Sequence, residues 1–129
     1  MYKKTFENLF IWNESKDLFI NFYKKFNDWK FNNYFFRDQI LRATLSISNN
    51  IAEWYEKRSA KELSRFLFIA KWSTWEVRNM LIVWKELWYF EDSQFEECLK
   101  TLNQISSWIF WLIKKIYSKK ENEQTKALA

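Results

Sequence analysis

The chain has 129 residues, of which 48% are hydrophobic and 29% charged, and its net charge is +5. This length is typical of one domain whose core folds without a disulfide or a metal. One cysteine and no histidine exclude disulfide frameworks, histidine metal sites and Ser-His-Asp triads within a chain, and the absence of glycine excludes glycine-rich phosphate loops.

Apolar residues recur at helical spacing in a first segment, from about Phe6 to Phe26. Its predicted apolar stripe comprises Leu9, Trp12, Phe19, Phe22, Tyr23 and Phe26. Residues 27–30 interrupt the pattern, and a second segment runs from about Asn33 to Glu56. Its stripe comprises Phe36, Ile40, Ala43, Ile47 and Ile51.

A third segment opens at Ser59, which forms a predicted capping box with Glu62. Its stripe comprises Leu63, Phe66, Leu67, Ala70, Thr74, Val77, Leu81 and Trp84. A fourth segment begins near Asp92, with Glu96 and Glu97 in its first turn, where carboxylates are favourable. Its stripe comprises Phe95, Leu99, Leu102, Ile105, Ile109, Leu112 and Ile116.

Four such segments with short links predict an all-α fold, an antiparallel up-down-up-down four-helix bundle over residues 1–117. Residues 118–129 are polar without periodicity, so we expect a flexible C-terminal tail. The N-terminus lacks an apolar run of signal-peptide length, and no window is apolar enough to span a membrane. We therefore expect a cytoplasmic protein without a membrane partner.

Polar side chains fall on or beside the stripes of the second and third segments. The set comprises Arg42, Ser46, Asn49, Asn50 and Glu53 in the second segment and Arg65, Ser73 and Glu76 in the third. One interpretation is a structural polar layer of Arg42, Asn50, Glu53, Glu62 and Glu76. In this layer Arg42, together with Arg65, would pair with the three carboxylates. The alternative interpretation is a contact with a ligand or another subunit.

Basic side chains are concentrated between residues 57 and 78. We interpret six of them as candidate contacts to nucleic-acid phosphates: Lys57, Arg58, Lys61, Arg65, Lys71 and Arg78. The alternative for each is an ordinary solvated side chain. Beside them, Trp54 and Tyr55 could form a platform for base stacking, or could be core or interface aromatics.

Catalysis has little support in the sequence. Carboxylates without histidine cannot build the Glu-x-x-His pairs of a di-iron bundle. The acidic neighbours Glu96 and Glu97 should raise the pKa of Cys98, which disfavours a reactive thiolate. We expect a non-enzymatic protein with no metal and no cofactor.

The stretch from Gln39 to Glu53, QILRATLSISNNIAE, resembles a bacterial family first noticed as reading frames inside intervening sequences of 23S ribosomal RNA. Further matches lie at residues 10–12, within 58–76 and at 87–90, and the resemblance covers about residues 5–117. It implies a non-enzymatic antiparallel bundle that assembles into homopentamers. A related branch comprises the accessory proteins of diversity-generating retroelements, which bind nucleic acid and a reverse transcriptase.

Two functions therefore stand as expectations. The first is a homo-oligomer, pentameric by the resemblance, that associates with RNA or DNA through a basic surface. The second is a protein-interaction scaffold, for instance one that docks a reverse transcriptase. Phe10, Phe35 and Phe68, which lie off the main stripes, are candidates for its docking surface.

Nine tryptophans and no glycine are an unusual combination, since about nine glycines are expected at average usage. Where the resembled family has glycine, this chain repeatedly has tryptophan, and Ser48 stands where proline is usual. We hypothesise that most of these tryptophans are UGA codons that the source organism reads as glycine. The alternatives are deliberate substitution and a variant truly rich in tryptophan. The positions concerned are Trp29, Trp54, Trp72, Trp75, Trp84, Trp88, Trp108 and Trp111.

Overall fold

A computed structural model describes residues 5–57 and 63–128 of the chain. A short 3₁₀ turn (Phe6–Asn8) leads into α1 (Phe10–Phe26), α2 (Tyr34–Glu56), α3 (Leu63–Glu86) and α4 (Asp92–Leu128). Across these two ranges the regular structure is helical and includes no β-strand. The all-α prediction is confirmed.

The helices form a closed bundle in which each packs on the next along the chain and α1 packs on α4. Contacts between ring centroids give the directions. Phe26, in the last turn of α1, lies 5.0 Å from Phe36 in the first turn of α2. Phe68, near the start of α3, lies 6.2 Å from Tyr117 in the second half of α4. The second contact shows that α3 and α4 run in opposite directions, and both contacts agree with the up-down-up-down prediction.

Most of the predicted stripes are buried, but the stripe of α1 is rotated from its predicted position. Tyr23 is 48% exposed, whereas Ile11, Ser15 and Leu18 are buried together with Phe22. The hydroxyl of Ser15 donates to the Ile11 carbonyl at 2.6 Å, so this small polar side chain is satisfied in the core. The predicted stripe was defined by the large aromatic residues, and it omitted the buried stripe of α1 because that stripe includes a serine.

One end of the bundle is closed by aromatic side chains. Phe26 is 1% exposed, and its ring centroid lies 4.9 Å from Phe31 in the α1–α2 link and 5.6 Å from Phe90 in the α3–α4 link. The N-cap Asn33 accepts a hydrogen bond from the Phe36 backbone N–H at 3.1 Å and donates to the Tyr89 hydroxyl at 3.0 Å. Both links are thereby fixed to the same end of the core.

The C-terminus of α3 has the hydrogen bonds of a Schellman motif. The Tyr89 N–H donates to the Trp84 carbonyl at 3.3 Å, and the Trp88 N–H donates to the Lys85 carbonyl at 3.0 Å. Trp88 occupies the position that is usually glycine in this motif, and its φ of 65° is left-handed. A bulky residue in this conformation is strained, since its Cβ crowds the backbone.

Helix α4 continues to Leu128, past residue 117, where we predicted the bundle to end. Its last turns contain lysine, glutamate, glutamine and alanine, which favour helix, and neither glycine nor proline stops it. No helix among the described residues is long and apolar enough to cross a membrane. The predicted capping box of Ser59 and Glu62 lies outside the described residues.

Candidate nucleic-acid interface

Two of the six predicted phosphate contacts meet where α2 ends and α3 begins. The Lys57 Nζ lies 5.4 Å and the Arg65 Cζ 5.6 Å from the centroid of the Phe66 ring. Lys57 also forms an exposed salt bridge with Glu53 at 3.2 Å, which contributes little to stability. Arg65 is exposed and has no carboxylate partner among the described residues.

Lys71 occupies a different environment, half-buried between α3 and α4. Its Nζ donates to the Ser106 carbonyl oxygen at 2.8 Å and to the Ser106 Oγ at 2.7 Å. Burial lowers the pKa of this ammonium from its ordinary value. Lys71 therefore ties α3 to α4, which sequence reasoning did not predict.

The four predicted basic residues that the structure describes do not lie in one patch. Arg78 is exposed two turns after Lys71, and the two lie within about 20° of each other around α3. Arg65 lies about 120° from Lys71 around the same helix. The four candidates thus form two groups, Lys57 with Arg65 and Lys71 with Arg78. Arg58 and Lys61 lie outside the described residues.

Three charged members of the predicted polar layer lie at the surface in the described part of the chain. Arg42, Glu53 and Glu76 are exposed, and no carboxylate of the described residues pairs with Arg42. Asn50 is half-buried and donates to the Ser46 carbonyl at 2.8 Å, while Glu62 lies outside the described residues. Long charged side chains at the edge of a stripe can reach water and avoid the desolvation penalty, which accounts for their exposure.

Among the described residues, the polar side chains that are almost fully buried are those of serines and threonines. The Ser73 Oγ contacts the Ser46 Oγ at 2.9 Å and donates to the Ile69 carbonyl, which links α2 to α3. The Thr74 hydroxyl donates to the Lys71 carbonyl at 2.6 Å, and its oxygen lies 3.3 Å from the Ser106 Oγ. The signal in the sequence was the presence of Ser46, Ser73 and Thr74 on or beside apolar stripes.

A cationic aromatic group, which the sequence did not reveal, lies on the outer side of the α3–α4 pair. Phe110 is 47% exposed, and its ring centroid lies 5.1 Å from the Lys71 Nζ and 4.7 Å from the Lys114 Nζ. Within the described part of the chain, neither lysine forms a salt bridge. The only sequence signal was the one-turn spacing of Phe110 and Lys114. The contact between Phe110 and Lys71 depends on the register between α3 and α4, which the sequence does not show.

Comparison with known families decides the classification. The model of the family described as 23S rRNA-intervening sequence protein matches residues 7–110. The chain belongs to this family. A comparison with curated proteins gave no match. The family match includes Lys57, Arg65, Lys71, Arg78 and Phe110, and Lys114 lies beyond it.

Cys98 of this 23S rRNA-intervening sequence protein is half-buried next to α1. Burial raises the pKa of its thiol, Glu97 raises the pKa further, and Lys25 opposes them. The predicted direction is therefore correct, although burial is the larger cause. No group of three Cys, Asp or Glu side chains in the described ranges could hold a metal ion.

The aromatic residues of this family member are distributed unequally between core and surface. Phe10 and Phe35 are 51% and 73% exposed, as predicted, whereas Phe68 is half-buried. Trp54 packs against the core, and its indole N–H is buried without an acceptor among the described residues. Its ring is tilted 64° from that of Tyr55, so these two residues do not form a flat stacking platform.

Proposed function

We propose that this 23S rRNA-intervening sequence protein is a non-enzymatic, cytoplasmic homo-oligomer that binds the RNA or DNA backbone. The observation that carries the proposal is a set of exposed cations without carboxylate partners in the described chain, represented by Arg65 and Arg78. Each copy carries a net charge of +5, so a pentamer would carry about +25. Such a field favours phosphate binding that is independent of base sequence.

Exposed apolar side chains support the assembly of several copies. Leu45, Ile82 and Val83 are between 41% and 46% exposed on α2 and α3, in addition to exposed aromatics such as Phe10. Aliphatic side chains on the outer faces of a bundle are typical of surfaces that another subunit covers. A pentamer is the expectation from the resemblance to the family's known assemblies.

The proposal is tested by measuring the mass of the purified particle together with its ratio of absorbance at 260 and 280 nm. We expect a mass of five chains and co-purifying nucleic acid. In the triple variant Lys57→Glu, Arg58→Glu, Lys61→Glu, affinity for a labelled RNA or DNA should be abolished, because three phosphate contacts become repulsive.

The matched control is Lys24→Glu, Lys30→Glu, Lys100→Glu, which changes the net charge by the same amount at three exposed positions away from the proposed contacts. This control should retain most of the affinity. If both triple variants lost the same affinity, net charge and not the position of these cations would determine binding. A monomer without nucleic acid would contradict the proposal.

A second candidate function is a scaffold that docks a reverse transcriptase of a diversity-generating retroelement. The exposure of Phe35, next to the 57% exposed Tyr34 at the start of α2, favours it. Co-purification with a protein in place of nucleic acid, and loss of that protein in the Phe35→Ala variant, would favour this candidate over the first.

We also infer that several tryptophans of this chain occupy positions that are glycine in the native protein, by translation of UGA codons. Trp88 supports the inference because it has the left-handed φ of a helix-terminating glycine. Trp84 supports it because its ring centroid lies only 3.5 Å from that of Phe36, closer than the 4.5–7 Å of ordinary aromatic pairs. The buried, unpaired indole N–H of Trp54 is a third indication.

Replacing Trp88 by glycine should stabilise the protein by about 1 kcal/mol and raise Tm by roughly 3–5 °C. Glycine relieves the left-handed strain, and this gain exceeds the cost of its greater freedom in the unfolded chain. Few contacts are lost, since the Trp88 side chain is 91% exposed. Thermal unfolding followed by circular dichroism measures the change.

Two controls isolate the backbone as the cause. Trp88→Ala removes the indole but keeps the Cβ, and should give no gain. Trp29→Gly removes an indole that is 86% exposed at a position without a positive φ, and should not stabilise. Equal gains from all three variants would mean that indole removal is the cause. Ordinary UGG codons at positions 54, 84 and 88 would contradict the recoding itself.

A further inference from the structure

We propose that Lys71, Phe110 and Lys114, here termed the Phe110 site, bind a single-stranded segment of nucleic acid. One base contacts the exposed part of the Phe110 ring, and the adjacent phosphates lie against the two ammonium groups. The inference rests on the proposed nucleic-acid binding, to which it adds a location and the form of the strand.

The charge arrangement at the Phe110 site calls for an anion. Lys71 of α3 and Lys114 of α4 approach the same ring, with their Nζ atoms 5.1 Å and 4.7 Å from its centroid. Two like charges around one ring repel each other, and no carboxylate of the described residues forms a salt bridge with either. A phosphate group placed against either ammonium would offset its charge and gain charge-assisted hydrogen bonds.

Lys71 is held in position before any ligand arrives. Two of its three N–H groups are directed at the Ser106 carbonyl and hydroxyl oxygens, so its ammonium is fixed between the helices. One N–H remains for a ligand, since a lysine ammonium has three donors. A pre-positioned donor loses little side-chain entropy on binding, which favours its use as a contact.

The aromatic ring specifies the form of the strand. Phe110 lies outside the core, with 47% of its surface exposed between two cations. Stacking on an aromatic side chain requires an unpaired base, because the bases of a duplex are stacked on one another. Arg78, two turns from Lys71 on the same face of α3, extends the cationic track beyond the ring.

The Phe110 site does not depend on whether the tryptophans are native. Trp75 lies near it, with its ring centroid 5.8 Å from the Lys71 Nζ, and would add a second aromatic surface if it is a true tryptophan. The two lysines and the phenylalanine are unaffected by any reassignment of UGA. The inference therefore holds for either form of the protein.

The test compares the affinities of the assembled full-length protein for a fluorescent oligouridine and for an RNA duplex of equal length, by anisotropy. Phe110→Ala should weaken oligouridine binding roughly 5- to 100-fold and leave duplex binding unchanged. Phe110→Tyr should retain binding, since it keeps the ring. Phe35→Ala, at a phenylalanine that is 73% exposed elsewhere, should have no effect.

A second variant tests the cations independently of the ring. Lys114→Gln should reduce the slope of log affinity against log salt for oligouridine by about one. This variant removes no contact of the core, because Lys114 is exposed, so it remains informative if Phe110→Ala fails to fold.

The outcomes separate the two proposals. If the wild-type protein binds neither RNA, the proposed function fails and this inference fails with it. If it binds both RNAs and neither variant changes oligouridine binding, the Phe110 site is overturned while the proposed function stands. Binding of an acidic peptide, polyglutamate, that matches oligouridine in affinity and is lost in Phe110→Ala would overturn the inference in favour of protein docking.

Discussion

Replacing Phe26 by alanine should lower the free energy of unfolding by about 3–5 kcal/mol, the range for a large buried aromatic. Phe26 is 1% exposed and contacts Phe31, Phe36 and Phe90, which belong to both links and to α2. The cavity left by its ring cannot close without moving all three elements, and the aromatic pairs are lost as well. Chemical denaturation with urea measures the loss.

The control is Phe35→Ala, which removes the same ring from a position that is 73% exposed. We expect a change within about 0.5 kcal/mol, as for most surface substitutions. Should the two variants lose equal stability, the aromatic cluster would not be the centre of the core, and the packing described for this end of the bundle would be wrong.

Affinity for nucleic acid should fall by about 10³- to 10⁵-fold between 50 and 200 mM salt, if the assembly contacts roughly 6–10 phosphates. Each neutralised phosphate releases condensed counterions, and added salt opposes this release. In the proposed pentamer this number needs only one or two contacts from each copy, which the exposed Arg65 and Arg78 could supply. Fluorescence anisotropy with a labelled RNA across a salt series gives the slope.

Charge reversal checks the origin of this slope. Arg65→Glu should make it shallower by about one for each phosphate contact that is lost, whereas Lys100→Glu, an exposed lysine of α4 outside the proposed contacts, should leave it unchanged. Affinity that is independent of salt would exclude the phosphate backbone as the principal contact.

The bundle could be predicted because its signal is local and repeated. The stripe of α2, for example Ile40, Ile47 and Ile51, recurs every three or four residues and is fully buried. The pattern was less clear where a small polar residue lies within the buried stripe. In α1 the large aromatic residues led to the wrong prediction that Tyr23 is buried. Periodicity alone does not show that Ser15 can be buried in its place, because its hydroxyl donates a hydrogen bond within its own helix.

The site was harder to predict than the fold, since it depends on the register between helices. The prediction grouped Lys71 with Arg65 because both lie in the same basic stretch of the chain. On the helix they point in different directions, and Lys71 donates a hydrogen bond to Ser106 of α4. The Phe110 ring contacts Lys114 of its own helix and Lys71 of α3, so the periodicity of a single segment does not predict this group. The exposure of Arg42 and Glu76 was also hard to predict, because periodicity does not show whether a long charged side chain at the edge of a stripe reaches water.

The two ends of the bundle are chemically different, and this difference has a consequence for any ring-shaped particle. Phe26 and its aromatic neighbours close one end, while Lys57 and Arg65 lie at the other. Cyclic symmetry keeps every copy pointing the same way along the axis. A five-fold ring whose axis follows the bundles would thus carry the aromatic closure of every copy on one rim and Lys57 and Arg65 of every copy on the other, so its two rims would be different binding surfaces.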